Sequence, residues 1–256
     1  MQEKETEALL VIADISGYTS FMLDNKQTLF HAQTIITNLI STVIKEAKIP
    51  LQIAKLEGDA VFLFARKKSS DAKWADEIAI IKKNISSFVV GFKKRALELS
   101  ESNTCGCNAC TLVKELKLKV VIHYGKALFY KISGMKELAG SDVILVHRLL
   151  KNSVPSQEYI LFTEAAYNAF GYGQRQDFEE RSETYEGGET KVFVTYPGDK
   201  IKAVIEKMKK KKLDSFFYRM LYMMSKMGSM AAVMMSGKRK KFNNIEVPGH
   251  EGHTHE

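Results

Sequence analysis

Apolar residues follow two rhythms along the chain, and their alternation sets out its elements. Ala8-Leu-Leu-Val-Ile-Ala-Asp14 is an unbroken apolar run and reads as a short strand buried on both faces. It runs into Ile15-Ser-Gly-Tyr-Thr-Ser20, a turn suited to capping the next helix. From Phe21 to about Ala47, apolar positions such as Ile36, Leu39, Ile40 and Val43 keep helical spacing. Leu51–Leu56 and Ala60–Ala65 read as strands around a tight Glu57-Gly58-Asp59 turn. Ser70 to about Leu99 is a long amphipathic helix, and a loop over Asn103–Cys110 follows. Leu116–His123 and Ala127–Ile132 are strand-like, joined at Tyr124-Gly125-Lys126. Asp142–Lys151 suits a helix, Glu158–Phe162 a strand, and Thr163–Phe170 a short helix opened by Thr163. Phe178–Tyr185 and Lys191–Tyr196 form a hairpin around Gly187-Gly188. The order is β-α-β-β-α-β-β-α, then more strands. It predicts an α+β fold, with a mixed or antiparallel sheet and helices on one face. Neither GxGxxG nor GxxxxGK[ST] occurs, so Rossmann and P-loop readings have no motif behind them.

Charge divides the 256 residues unevenly. The formal net charge is +8, yet the segment from Ile201 onward holds 12 of the 38 basic and 5 of the 30 acidic residues. The body up to residue 200 is therefore nearly neutral, and the basicity says little about its ligand. The tail also carries eight of the eleven Met. Pro197-Gly198 supplies a break, so the chain is expected to divide into 1–198 and a basic, Met-rich helical tail, 199–256. No reader motif for nucleic acid accompanies the basic residues, and none is expected to bind. The polar start and the lack of a disulfide framework point to a cytoplasmic protein.

Three features carry candidate chemistry. Asp14 and Asp59 each stand where an apolar segment meets a turn. If their strands are neighbours, two carboxylates converge at one sheet edge, where they repel unless a divalent cation bridges them. The alternative is a pair of turn and cap residues. Cys105, Cys107 and Cys110 have the spacing of zinc ligands. The fourth ligand would come from elsewhere in the chain, with His123 the candidate, or from a second protomer. An Fe–S cluster is disfavoured by having only three cysteines. Incidental thiols in a reduced loop, or thiols that sense redox state, are the alternatives. In the tail, Lys207–Lys212 precedes an apolar stretch from Phe216 to Met235 that Arg219, Lys226 and Gly228 interrupt. That stretch suits an amphipathic helix lying on an anionic membrane, docking in a partner's groove, or covering the protein's own surface, rather than a spanning one. His250, His253 and His255 make a weak metal-binding run at most.

Four segments, in order, resemble the motifs of class III nucleotidyl cyclases over roughly residues 7–196. Ala13-Asp-Ile-Ser-Gly-Tyr-Thr-Ser-Phe21 is similar to their first metal motif, and Lys55-Leu-Glu-Gly-Asp-Ala60 to their second. Val121-Ile-His-Tyr-Gly125 resembles their glycine-bearing strand, and Gly140–Leu149 their Gly-x-x-Val-Asn-x-Ala-x-Arg-Leu helix. The resemblance implies a ferredoxin-like βαββαβ core and a homodimer with sites between protomers. It implies two Mg²⁺ or Mn²⁺ ions on Asp14, Asp59 and the Ile15 carbonyl, under a purine nucleoside triphosphate. Gly17, Tyr18 and Thr19 would face the phosphates, Lys55 and Glu137 would read adenine, and Arg148 would steady the α-phosphate in the transition state. The implied activity is conversion of ATP to 3′,5′-cyclic AMP and pyrophosphate. Two departures qualify it: Ile144 stands where the family has a catalytic asparagine, and Thr184-Tyr-Glu-Gly-Gly188 stands where it has a lysine on the triphosphate, with Lys191 displaced. They leave a second expectation open, a weak or inactive cyclase homologue that senses nucleotide or serves as a signalling interaction module.

Overall fold

The computed structural model describes residues 5–68, 70–102, 105–133, 135–173, 177–210 and 224. The chain divides into two units, 1–213 and 214–256. The sheet and helices belong to the first.

Its centre is β1 (Glu5–Ser16), in which Ala8 to Ala13 are all buried. A strand buried on both faces needs an unbroken apolar run, which is what residues 8–13 supply. Burying Leu9, Leu10, Val11 and Ile12 stabilises by roughly 1.5–3 kcal/mol each, enough to fix a polar residue at the strand's end. β1 pairs antiparallel with β3 (Ala60–Arg66) on one side and with β4 (Lys117–Ile132) on the other. β2 (Gln52–Glu57) forms the outer edge beyond β3. Beyond β4 come β6 (Tyr159–Thr163), β8 (Gly188–Thr195) and β7 (Glu179–Tyr185). β5 (Met135–Ala139) folds back on the far end of β4. The β4–β6 pairing is parallel and the others are antiparallel.

Helices α2 (Leu29–Glu46) and α3 (Asp71–Glu101) lie side by side. Residues such as Ile78, Ile81, Ile85, Phe88 and Phe92 give α3 its buried stripe at helical spacing. α5 (Ser141–Arg148) packs against Ala8, Leu10 and Ile12, and so lies on the other face from Leu9 and Val11. The mixed, mostly antiparallel sheet with helices is the expected architecture, with α5 covering part of the second face.

Two stretches around the central strand differ from the sequence pattern. The helix expected from Phe21 to Ala47 is two, α1 (Tyr18–Asp24) and α2, separated by a 3₁₀ turn at Lys26–Thr28. Buried Asn25 ends α1, its side-chain amide donating to the Phe21 carbonyl at 2.7 Å in competition with the helical ladder. β4 continues through Tyr124-Gly125-Lys126, where a turn was expected, because its pairing with β1 is unbroken there. Gly125 serves close approach: a Cβ on it would collide with the Asp142 carboxylate and the His123 imidazole. That carboxylate accepts from the Lys126 backbone N–H at 2.6 Å and so ties the start of α5 to β4. Gly125→Ala is therefore expected to cost about 1–3 kcal/mol by overpacking and loss of that bond, read as a lower urea midpoint with an unchanged slope.

Candidate functional site

Sheet register brings the two aspartates together. Asp14 sits opposite Ala60 of β3, which sets Asp59, the residue before it, beside Asp14. On its other side Asp14 faces Lys119 of β4, whose Nζ lies 3.0 Å from Asp14 Oδ2. Lys119 also donates to the Leu150 carbonyl at 3.0 Å. A cavity of about 540 Å³ opens at this edge, lined by Asp14, Asp59, Lys119, the Ile15–Ser20 turn and, across from them, Asn152 and Tyr159. That volume lies within the range of small-ligand pockets. Gly17, at φ +88°, takes the left-handed conformation that turns β1 into α1, which places Tyr18 and Thr19 on the cavity wall.

Burial, and then the Asp14 charge beside it, push the Asp59 carboxyl up to about 6; the two side chains also share a hydrogen bond. With Lys119 as one cation against two carboxylates, this edge is short of positive charge at neutral pH. A raised carboxyl favours the fold at pH below its unfolded value of 3.8 and loses that contribution as pH rises through about 6. Without divalent cations the contribution of Asp59 is thus expected to fall by about 1–2 kcal/mol between pH 4 and pH 7, after allowance for solvent and Lys119, read as the difference between wild type and a variant lacking this carboxyl. Asp59→Asn is expected to flatten that fall. Denaturant unfolding of both proteins across this range in chelator checks it; parallel curves for wild type and variant would refute it.

The remaining candidates lie elsewhere in the same unit. Lys55 Nζ is 3.0 Å from Glu57 Oε1 and 3.9 Å from Glu137 Oε2, and the Glu57 hydrogen bond is the main reason the Lys55 ammonium is held above its usual range. Glu57 also meets His147 Nε2 at 3.1 Å. Arg148 donates to Glu186 in the β7–β8 turn at 2.7 Å, an exposed pair that adds little stability. Lys55, Glu137 and Arg148 do not line the Asp14–Asp59 cavity. Ile144 is 60% exposed on α5, and Lys191 pairs with Glu180 at 2.7 Å.

Sequence reasoning passed over Lys119, Glu57 and His147. The signal for Lys119 was a lone lysine inside an apolar strand; the other two pair across 90 residues and gave none. His123 is not near the thiols: it is buried in β4, 2.8 Å from Thr163 Oγ1, and burial lowers its pKa. The histidine at the cysteines is His31, whose Nδ1 lies 3.6, 3.4 and 4.0 Å from the sulfurs of Cys105, Cys107 and Cys110. The expected tail helix beyond residue 210 and the three terminal histidines lie outside the described residues, Met224 apart. α6 (Glu164–Ala169) follows β6, and the last described element of this unit is α7 (Gly198–Lys210). Among the described residues no helix is long and apolar enough to cross a membrane.

Residues 36–159 match a family described as a protein of unknown function (DUF2652). An uncharacterized protein of Mycobacterium tuberculosis, Rv2561/Rv2562, is 33% identical over 156 residues, 60% of this chain and 70% of that one. Among solved structures, the adenylyl cyclase CyaB from P. aeruginosa superposes with a TM-score of 0.56 at 14% identity, over 76% of this chain and 96% of that one. The guanylyl cyclase Cya2 does so with a TM-score of 0.58 at 14% identity, over 76% and 94%.

Proposed function

This chain belongs to the same family as the mycobacterial protein Rv2561/Rv2562 and has the fold of a class III nucleotidyl cyclase catalytic domain, and from that premise we propose that it is a divalent-cation-dependent cyclase that converts ATP to 3′,5′-cyclic AMP and pyrophosphate. The observation that carries the reading is the Asp14–Asp59 pair at the mouth of a nucleotide-sized cavity, with more negative charge than Lys119 balances. Two carboxylates and the Ile15 carbonyl are the hard oxygen donors that Mg²⁺ or Mn²⁺ takes, and phosphate oxygens would complete the set. Bound there, the cations supply Lewis-acid activation of the ribose 3′-hydroxyl and neutralise charge on the departing pyrophosphate.

The chain's own residues do the rest. Asp14 and Asp59 hold the triphosphate's counter-ions, while backbone N–H groups of the Gly17–Thr19 turn face its oxygens. Lys55 donates to adenine N1 and Glu137 accepts from the N6 amino group, a pairing that guanine would not satisfy. Arg148 leaves Glu186 for the α-phosphate, where a fixed guanidinium steadies charge in the transition state. In one chain this second set stands outside the cavity, so a complete site takes the aspartates of one protomer and the purine and arginine contacts of another. Leu56, Ile132 and Ile144, each more than half exposed, would offer apolar surface to such a contact. The basic residues after Lys207 would bring the domain to an anionic membrane or an acidic partner.

An aliphatic Ile144 has no hydrogen bond to give, and Lys191 is engaged by Glu180. Each missing donor costs on the order of 10²–10³ in rate, so turnover is slow. The same two positions favour a second reading, a domain that binds nucleotide and signals without cyclising it. Incubating pure protein with ATP or GTP and Mn²⁺ and assaying cyclic product separates the two. Cyclic AMP from ATP supports the cyclase. Nucleotide binding with no product supports the sensor, and neither binding nor product removes both.

A further inference from the structure

We propose that His31, Cys105, Cys107 and Cys110 form a closed zinc site that clamps the first turn of α2 to the segment following α3. The four ligand atoms lie within 4.8 Å of one another. Around a tetrahedral zinc with Zn–S near 2.3 Å and Zn–N near 2.0–2.1 Å, sulfur and nitrogen ligands stand about 3.6 Å apart. The three sulfur-to-Nδ1 distances, 3.4, 3.6 and 4.0 Å, bracket that value. Hydrogen bonding does not account for the arrangement. A neutral imidazole nitrogen has one lone pair and accepts one S–H, whereas three sulfurs converge on this one. A single centre that all four atoms share does account for it.

The local structure presents these ligands from firm positions. His31 stands in the first turn of α2. Cys107 caps and Cys110 sits within α4 (Asn108–Leu112), where Ala109, Cys110 and the following Val113 are buried. Three soft thiolates and an imidazole select zinc over the hard cations expected at Asp14 and Asp59. Four protein ligands leave no open position, so the role is structural. On binding, each S–H gives its proton to solvent and its thiolate to the metal, so affinity falls in acid. The site shares no residue with the Asp14–Asp59 cavity and stands or falls independently of the cyclase reading. Its structural consequence reaches that cavity through the chain: α2 follows α1 after the short 3₁₀ turn at Lys26–Thr28, and the first turn of α1 lines the cavity.

The test uses the full chain, purified without chelator and analysed for metal. About one zinc per chain is expected, retained when His250, His253 and His255 are all changed to Ala and lost in Cys107→Ser and His31→Ala. Losing one of these ligands should weaken zinc binding by more than the 10–100-fold typical of an outer-shell partner. Replacement by Co²⁺ should give the thiolate-to-metal charge-transfer absorption of a sulfur-rich tetrahedral site. Should the variants fail to fold, alkylation of the wild-type chain decides. Zinc is expected to protect all three thiols, and a chelator to expose them together and lower the melting temperature. Thiols that alkylate equally with and without zinc, a disulfide among them in the freshly purified chain, or zinc that leaves with the tail histidines would overturn the proposal.

Discussion

Asp59→Ala is expected to lower cyclic-nucleotide formation by at least about 10³-fold. Charge stabilisation by cations at such a site is worth several kcal/mol, and each 1.36 kcal/mol is tenfold in rate. Asp59 supplies one of the two carboxylates that recruit them. Loss of the fold is not the expected cause. The residue sits in the β2–β3 turn, its charge opposes that of Asp14, and removing it relieves repulsion. The variant should therefore melt at or above the wild-type temperature in chelator while losing turnover, a combination that general destabilisation does not produce. If it turns over ATP at the wild-type rate, the product comes from a contaminant or from another site. A parallel loss of turnover and of melting temperature would point instead to a structural role.

Mixing two inactive variants should restore activity. Asp59→Ala keeps the purine and arginine half of a shared site, and Arg148→Ala keeps the carboxylate half. If the two halves meet only between protomers, a mixed dimer holds one intact site and one doubly damaged site. Random exchange of equal amounts makes half of the dimers mixed, so about one quarter of wild-type activity returns. Each variant alone should stay near background. Recovery that scales with the amount of the limiting variant marks a split site, whereas no recovery after verified subunit exchange contradicts a site built across two copies.

The parts of the fold that the sequence reveals are those whose cause is local. An apolar run that must be buried on both sides could only be a central strand, and β1 is one. The Glu57-Gly58-Asp59 turn bends where expected because Gly58 takes φ +66°. Elements set by long-range contacts were hidden. Gly125 looks like a turn residue until Asp142, from another element, is seen against it. β5 escaped because Lys136 and Glu137 break its alternation, and pairing with β4 holds it in place instead. The site divides the same way. Asp14 and Asp59 stand out at the turns that bear them, but their meeting depends on β1 and β3 being neighbours, which the turns do not state. Lys119 reaches Asp14 only through register, and His31 reaches the cysteines across 74 to 79 residues, a separation at which a helix-period pattern says nothing of partners.

The claim on which the catalytic account stands is that Asp14 and Asp59 together hold divalent cations beneath a nucleoside triphosphate. Calorimetric titration of a non-cyclisable ATP analogue, with and without Mn²⁺, into wild type and into Asp14→Asn/Asp59→Asn tests it most directly. Wild type should bind the analogue at least about tenfold more tightly when Mn²⁺ is present, a gain of about 1.4 kcal/mol or more, and the double variant should show no such gain. A wild-type affinity indifferent to Mn²⁺, or a double variant that keeps the full gain, would contradict it.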